Sequence, residues 1–194
     1  MGSRQQPDFE ALIARVAGRL QERRIPFMLI GGQAVLLHGE PRLTLDIDIT
    51  VGASPDRLPD LLAVCDACGL DPLPEDVAAF VRDTYVLPAA EETGVRVDFV
   101  FSTTPYEAQA IARAVTVLVG GELVPFASAE DLILHKLFAG RPRDLEDAAG
   151  VVRRRGEELD WNYLETWAEA FGEVPGREGM AAAVRSLRSG IGPT

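Results

Sequence analysis

A chain of 194 residues, 47% hydrophobic and 25% charged, has the composition of an ordinary globular protein and enough length to bury a core. No apolar run reaches the roughly 18 residues of a membrane-spanning helix, and a formal net charge of −11 argues against a protein that coats nucleic acid nonspecifically. The first six residues hold no apolar signal region, and Gln6 stands where a myristoylation motif requires Ser or Thr, so we expect a cytoplasmic protein without export signal, lipid anchor or membrane contact.

The first predicted helix runs from about Asp8 to Arg24, with Phe9, Leu12, Ile13, Val16 and Leu20 at helical spacing, and Pro26 ends it. Phe27 to Ile30 reads as a short apolar strand, followed by Gly31-Gly32 and a brief helix from Gln33 to His38. The next strand, Leu43 to Val51, contains Asp46-Ile47-Asp48. Alternation puts both carboxylates on one face and Leu45, Ile47, Ile49 and Val51 toward a core.

Ser54-Pro55 opens a helical stretch that ends near Gly69, and the less regular 71–83 leads into a strand at Thr84 to Leu87. Val95 to Phe101 alternates again, with Val97, Phe99 and Phe101 on one face and Asp98 on the other. A helix from Pro105 to about Ala114 precedes a hairpin, Val115 to Val119 and Leu123 to Phe126, around Gly120-Gly121-Glu122. The remainder is helical: an N-cap at Ser128 opens a helix to about Ala139, and further helices suit Leu145 to Arg155 and Trp161 to Phe171. The glycine-containing end from Ser189 is expected to fray.

This order implies an α+β fold: a mixed sheet with helices on one face, then a helical carboxyl-terminal subdomain. The expected division is 1–127 and 128–194, with one continuous domain as the alternative. The acids lie on the open face of the sheet.

Asp46 and Asp48, roughly 7 Å apart on one strand face, repel by about 0.6 kcal/mol in water and about 2.4 at an effective dielectric of about 20. A divalent cation reverses that sign. Asp98 supplies a third strand-borne carboxylate, and Gly31-Gly32 at a helix start can bring backbone N–H groups close to phosphate oxygens. Such oxygen ligands suit Mg²⁺, and two ions roughly 4 Å apart are the usual apparatus of phosphoryl and nucleotidyl transfer.

Lys136 is the only lysine among 19 basic residues. A compact ammonium differs from a guanidinium in geometry and hydration, which gives a reason for its choice at a triphosphate. Arg141, Arg143, Asp144 and Asp147 suit either a salt-bridge cluster between helices or a nucleotide or acceptor contact. Cys65 and Cys68 form a lone CxxC without the further ligands that zinc needs, and read as structural thiols. Trp161, Tyr163 and Trp167 read as core rather than as a stacking platform.

Gly31-Gly32, Asp46-Ile47-Asp48 and Asp98 together resemble the signature of the DNA polymerase beta-like nucleotidyltransferase superfamily. Phe27 to Val51, with Arg42-Leu43-Thr44 before the first Asp, looks most like the minimal bacterial toxin-type branch that includes abortive-infection nucleotidyltransferases. In that branch a helix-borne lysine and a following aspartate form further motifs, which Lys136 and Asp144 or Asp147 fill. Gly-Gly stands where many members have Gly-Ser, so phosphate binding would rest on backbone amides, with Thr44 or Lys136 as a further contact.

The resemblance implies a Mg²⁺-dependent enzyme that moves an NMP from an NTP to an acceptor hydroxyl. Asp46, Asp48 and Asp98 would be the catalytic and metal-binding acids, and Gly31, Gly32, Thr44 and Lys136 would bind nucleotide. Arg42, Arg143, Asp144 and Asp147 would have secondary roles. The acceptor would be tRNA, with an antitoxin as partner, or a protein or an antibiotic-like small molecule. A noncatalytic nucleotide- or partner-binding module of the same fold is the alternative.

Overall fold

The structure, a computed structural model, describes residues 8–190. The expectations on the leaderless amino terminus and on the last four residues of the fraying end lie outside them. The described residues divide into two compact units, one formed by 8–33 and Leu43–Phe126, the other by Ala34–Arg42 and 127–190.

The first unit is built on a seven-stranded mixed sheet. Helix α1 (Phe9–Glu22) starts where the Asp8 carboxylate accepts from the Ala11 N–H, and buries Leu12, Ile13, Val16 and Leu20. Strand β1 (Phe27–Leu29) follows, and α2 (Gly31–His38) begins two residues earlier than its sequence suggests, at Gly31. Strand β2 (Asp46–Val51) precedes a short 3₁₀ turn and α3 (Leu58–Cys68), which Gly69 caps in the left-handed conformation.

Next come β3 (Leu70–Pro72), α4 (Val77–Thr84), β4 (Val86–Glu91) and β5 (Arg96–Phe101). The unit closes with α5 (Pro105–Ala112) and the hairpin β6 (Val115–Val119) to β7 (Glu122–Phe126). Gly120 and Gly121 both take positive φ, 55° and 91°, at the tip of that hairpin.

The strand order is β3-β4-β5-β2-β1-β7-β6. Strand β2 runs antiparallel to β1 and parallel to β5, and β4 is antiparallel to β5. On one face Ile47, Ile49, Val97, Phe99, Leu87 and Ala89 are buried. Helices α1 and α3 pack together, α1 touching β6 and β7 and α3 touching β3. Burying a Leu, Ile or Phe side chain contributes about 1.5–3 kcal/mol, so this face anchors the strands whose other face carries the acids.

Two local expectations are corrected. Leu45 is 62% exposed rather than in the core, because ladder pairing starts only at Asp46 and alternation has no meaning before it. The stretch read as irregular holds β3 and α4, the latter nucleated where the Asp76 carboxylate accepts from the Ala79 N–H.

The second unit contains the rest of α2 with helices α6 (Ala129–Ala139), α7 (Pro142–Arg155), α8 (Trp161–Gly172) and α9 (Met180–Ser189). Its core includes Leu132, Ile133, Leu134, Val151 and Leu164. The Asp131 carboxylate is wholly buried, accepting from Ser128 Oγ and from Tyr163 Oη, each at 2.7 Å. Along α8, Tyr163 meets Trp167 edge-to-face and Trp167 is tilted against Phe171, with centroids 6.5 and 6.0 Å apart; Tyr163 is buried, whereas Trp161 and Trp167 are half-buried. No helix of the described residues is long and apolar enough to cross a membrane.

Candidate active site

The parallel ladder between β2 and β5 sets the geometry of the acids. It pairs Asp46 with Arg96, Asp48 with Asp98, and the buried Ile47 and Ile49 with Val97 and Phe99. Strand alternation then places Asp46, Asp48, Arg96 and Asp98 on the same face. Adjacent strands lie about 4.8 Å apart, so two carboxylates directly opposite destabilise each other unless compensated. Here Asp48 and Asp98 are half-buried and Asp46 is exposed.

Gly31 is adjusted to this pair. It sits just past β1 with φ +60°, and a Cβ built on it would lie 1.9 Å from Asp48 Oδ2. Only a residue without a side chain admits both that conformation and that approach. Gly32, in the first turn of α2, is tight for a different reason. A Cβ there would stand 2.3 Å from Thr44 Oγ1 and 2.7 Å from Thr44 Cβ. The Thr44 hydroxyl, which donates to the Asp46 carbonyl at 3.3 Å, therefore occupies the space that a serine at position 32 would need. Hydroxyl chemistry is retained beside the helix start, but on another residue. The first N–H groups of a helix lack intrahelical partners and favour an anion, and the space that side chains at 31 and 32 would fill is taken by Asp48 Oδ2 and Thr44 Oγ1.

Sequence reasoning named the acids but passed over Arg96. The signal was present, since a residue two before Asp98 shares its strand face. Arg96 Nε donates to Asp98 Oδ1 at 2.7 Å. That hydrogen bond, reinforced by the charges of Asp98, Asp46 and Asp48, raises the guanidinium pKa further against a smaller opposing effect of burial.

The donor chemistry fits a hard divalent cation: three carboxylates on neighbouring strands, no thiolate and no imidazole. Among the described residues, however, no three His, Cys, Asp or Glu side chains converge closely enough to hold an ion. Asp98 is instead engaged by Arg96.

Lys136 lies in the second unit, inside a buried ionic cluster. Its Nζ contacts Asp144 Oδ1 and Asp147 Oδ2, each at 2.9 Å, with only 7% of its side chain exposed. Arg42 clasps Asp147 through Nε and Nη2, both at 2.9 Å, and Arg141 Nε meets Asp144 Oδ2 at 2.5 Å. Burial opposes ionisation of Asp144 and Asp147, yet hydrogen bonds from Arg141 and Lys136 to the first, and from Arg42 and Lys136 to the second, hold both below the usual carboxylate range. Arg143 stays outside the cluster. It is exposed and lines a cavity of about 410 Å³ with Arg42, Glu146 and Arg153. The arrangement satisfies the salt-bridge alternative for Arg141, Asp144 and Asp147, though not for Arg143.

The remaining polar residues do other work. Cys65 and Cys68 are buried free thiols, and burial pushes Cys65 up to about 12 and Cys68 in the same direction, which suits structural thiols. His38 Nε2 bonds the Ala127 carbonyl at 2.8 Å, and burial lowers its pKa.

Comparison with known proteins bears on this geometry. Residues 17–187 match the model of a family described as the nucleotidyl transferase AbiEii toxin, Type IV TA system. No match is found among curated protein sequences. Among solved structures, the chain is similar to ANT(2'')-Ia in complex with adenylyl-2''-tobramycin, at 21% identity and a TM-score of 0.56 over 91% of this chain and 97% of the other. The lincomycin-bound lincosamide antibiotic adenylyltransferase LnuA gives 15% identity and a TM-score of 0.52, over 73% and 95%. An antigenic nucleotidyltransferase-like protein from Paracoccidioides brasiliensis gives 16% and 0.53, over 90% and 92%. These likenesses establish a shared fold.

Proposed function

Because the chain belongs to the AbiEii family of nucleotidyltransferase toxins, and is thus a nucleotidyltransferase enzyme, we propose that it moves an NMP from an NTP to an acceptor hydroxyl at the acid face of β2 and β5. The observation that carries this reading is the in-register pairing of Asp48 with Asp98, with the Asp48 carboxylate against Gly31. In the reaction the acceptor oxygen bonds to the α-phosphorus, the bond from that phosphorus to the bridging oxygen breaks, and pyrophosphate leaves. Asp98 takes the proton of the acceptor hydroxyl. Asp46, Asp48 and Asp98 would be the oxygen ligands for Mg²⁺, two ions by this reading. The chemistry expected of Mg²⁺ there is to lower the pKa of the attacking hydroxyl and to balance charge on the leaving group.

The backbone N–H groups at Gly31 and Gly32 seat phosphate oxygens, and the Thr44 hydroxyl supplies a further contact. Lys136 has three N–H donors, two of them turned to Asp144 and Asp147, and its third is our candidate for the triphosphate. Arg42 holds Asp147 in place for that role, and Arg143 is the candidate for an acceptor contact.

For the acceptor we favour tRNA, in keeping with the toxin family, with an antitoxin as partner and the cytoplasm as the site of action. A small cationic acceptor is the second reading, supported by the net charge of −11 and by the fold shared with antibiotic adenylyltransferases. A protein side chain is the third. The experiment is incubation of the protein and Mg²⁺ with each radiolabelled NTP, total tRNA, aminoglycosides and cell lysate. Label in tRNA and growth arrest on expression support the first reading, and label in the small molecule with resistance and no arrest supports the second. Asp48→Ala with undiminished pyrophosphate release would sink the assignment of the site.

A further inference from the structure

Arg96 is exposed on the acid face, opposite Asp46 by the ladder and bonded to Asp98 at 2.7 Å. It also borders an open recess of about 640 Å³ whose lining includes Glu75, Asp76, Asp83, Phe80 and Pro88. Pro88 is the cross-strand partner of Asp98, so the recess adjoins the acids on the side away from β2.

We propose that Arg96 is the resident counter-cation of the carboxylate cluster: it neutralises Asp98 while no divalent cation is bound, and releases it toward the acid-lined recess when one binds. This rests on the metal-dependent reading given above. Three observations support it. Asp48 and Asp98 stand directly opposite on adjacent strands, a like-charge pairing that needs a nearby cation to be tolerated. No three of the described His, Cys, Asp or Glu side chains converge to hold an ion, and Asp98 Oδ1 is engaged by a guanidinium. The recess Arg96 already borders is also lined by Glu75, Asp76 and Asp83, of which Asp76 accepts from the Ala79 N–H and Asp83 lies 3.4 Å from Arg82, so a departing guanidinium stays in an acidic surrounding.

Arg96 and a divalent cation therefore compete for Asp98, and whatever the ion pair adds to the metal-free protein is subtracted from metal affinity. Arg96 is a positioning residue by this account, acting through Asp98.

The test is Mn²⁺ binding to the full chain by calorimetry, for wild type, Arg96→Gln and Arg96→Lys, with thermal melts in chelator and in excess Mn²⁺. Arg96→Gln should bind Mn²⁺ about two- to fivefold tighter, the scale of one exposed charge contact, and Arg96→Lys should return toward wild type. In chelator Arg96→Gln should melt below wild type, and Mn²⁺ should close or invert that gap. If wild type binds Mn²⁺, Asp48→Ala does not, and Arg96→Gln binds no tighter with the same melting gap in both conditions, the role of Arg96 is overturned alone. Absence of Mn²⁺ binding by wild type and by Arg96→Gln overturns the metal reading and this proposal with it.

Discussion

At the scale of single residues, the site depends on what is missing from two side chains. Gly31→Ala combines a left-handed backbone with a Cβ aimed at Asp48 Oδ2. Gly69 has a similar φ of +67° and nothing within 4 Å of its virtual Cβ, so Gly69→Ala isolates the backbone cost. We expect about 1–2 kcal/mol of destabilisation for Gly69→Ala by urea denaturation, and a larger loss for Gly31→Ala together with at least about a hundredfold fall in pyrophosphate release. Gly32→Ser collides with Thr44, so a serine there should reduce activity. Pairing it with Thr44→Gly removes both contacts, and the double variant should recover activity that the single one loses, a non-additivity readable in a double-mutant cycle.

At the scale of elements, the cluster on α6 and α7 behaves as one unit. Lys136→Met leaves two buried carboxylates without their shared ammonium, and should cost about 3–5 kcal/mol in urea, whereas exposed Arg143→Ala should stay within about 0.5. Folding depresses Asp144 and Asp147 below their ordinary value of 3.8. Their contribution is therefore present above that value and lost as pH falls through the depressed one. The wild type should lose helical circular dichroism steeply below about pH 4, and Asp147→Asn, less stable at neutral pH, should decline more gently. Elements with strong periodicity were legible in the sequence: α1, β2 and β5 have apolar residues at the period of their structure, and the β6–β7 hairpin was legible through its Gly120-Gly121 turn. Helix α4 was not, because its eight residues carry one buried side chain, Val81, and its signal is the Asp76 cap. That Asp46, Asp48 and Asp98 share one sheet face was legible through alternation. The engagement of Lys136 and Asp98 was not, because it depends on which charges tertiary contacts bring together, and strand or helix spacing alone does not encode that.

At the scale of the whole molecule, charge separates the acceptor readings. A protein of net charge −11 repels a polyanion and attracts a polycation at long range. Between about 0.02 and 0.2 M salt, the KM for a cationic acceptor should rise, while the KM for tRNA should change little or fall; steady-state kinetics with both acceptors would check this. The parallel pairing of β2 with β5 also governs how the chain assembles. A parallel pair cannot close through a tight turn, and this one spans α3, β3, α4 and β4 between its strands. The β4–β5 pairing is local and carries Arg96 and Asp98 together. The long-range pairing with β2 sets Asp48 opposite a carboxylate that a residue of its own strand, Arg96, hydrogen-bonds. Removing that cation with Arg96→Gln should slow refolding in stopped-flow experiments at low ionic strength, and added salt should restore the rate, because pairing β2 with β5 would then bring the Asp48 and Asp98 carboxylates together without the guanidinium beside them.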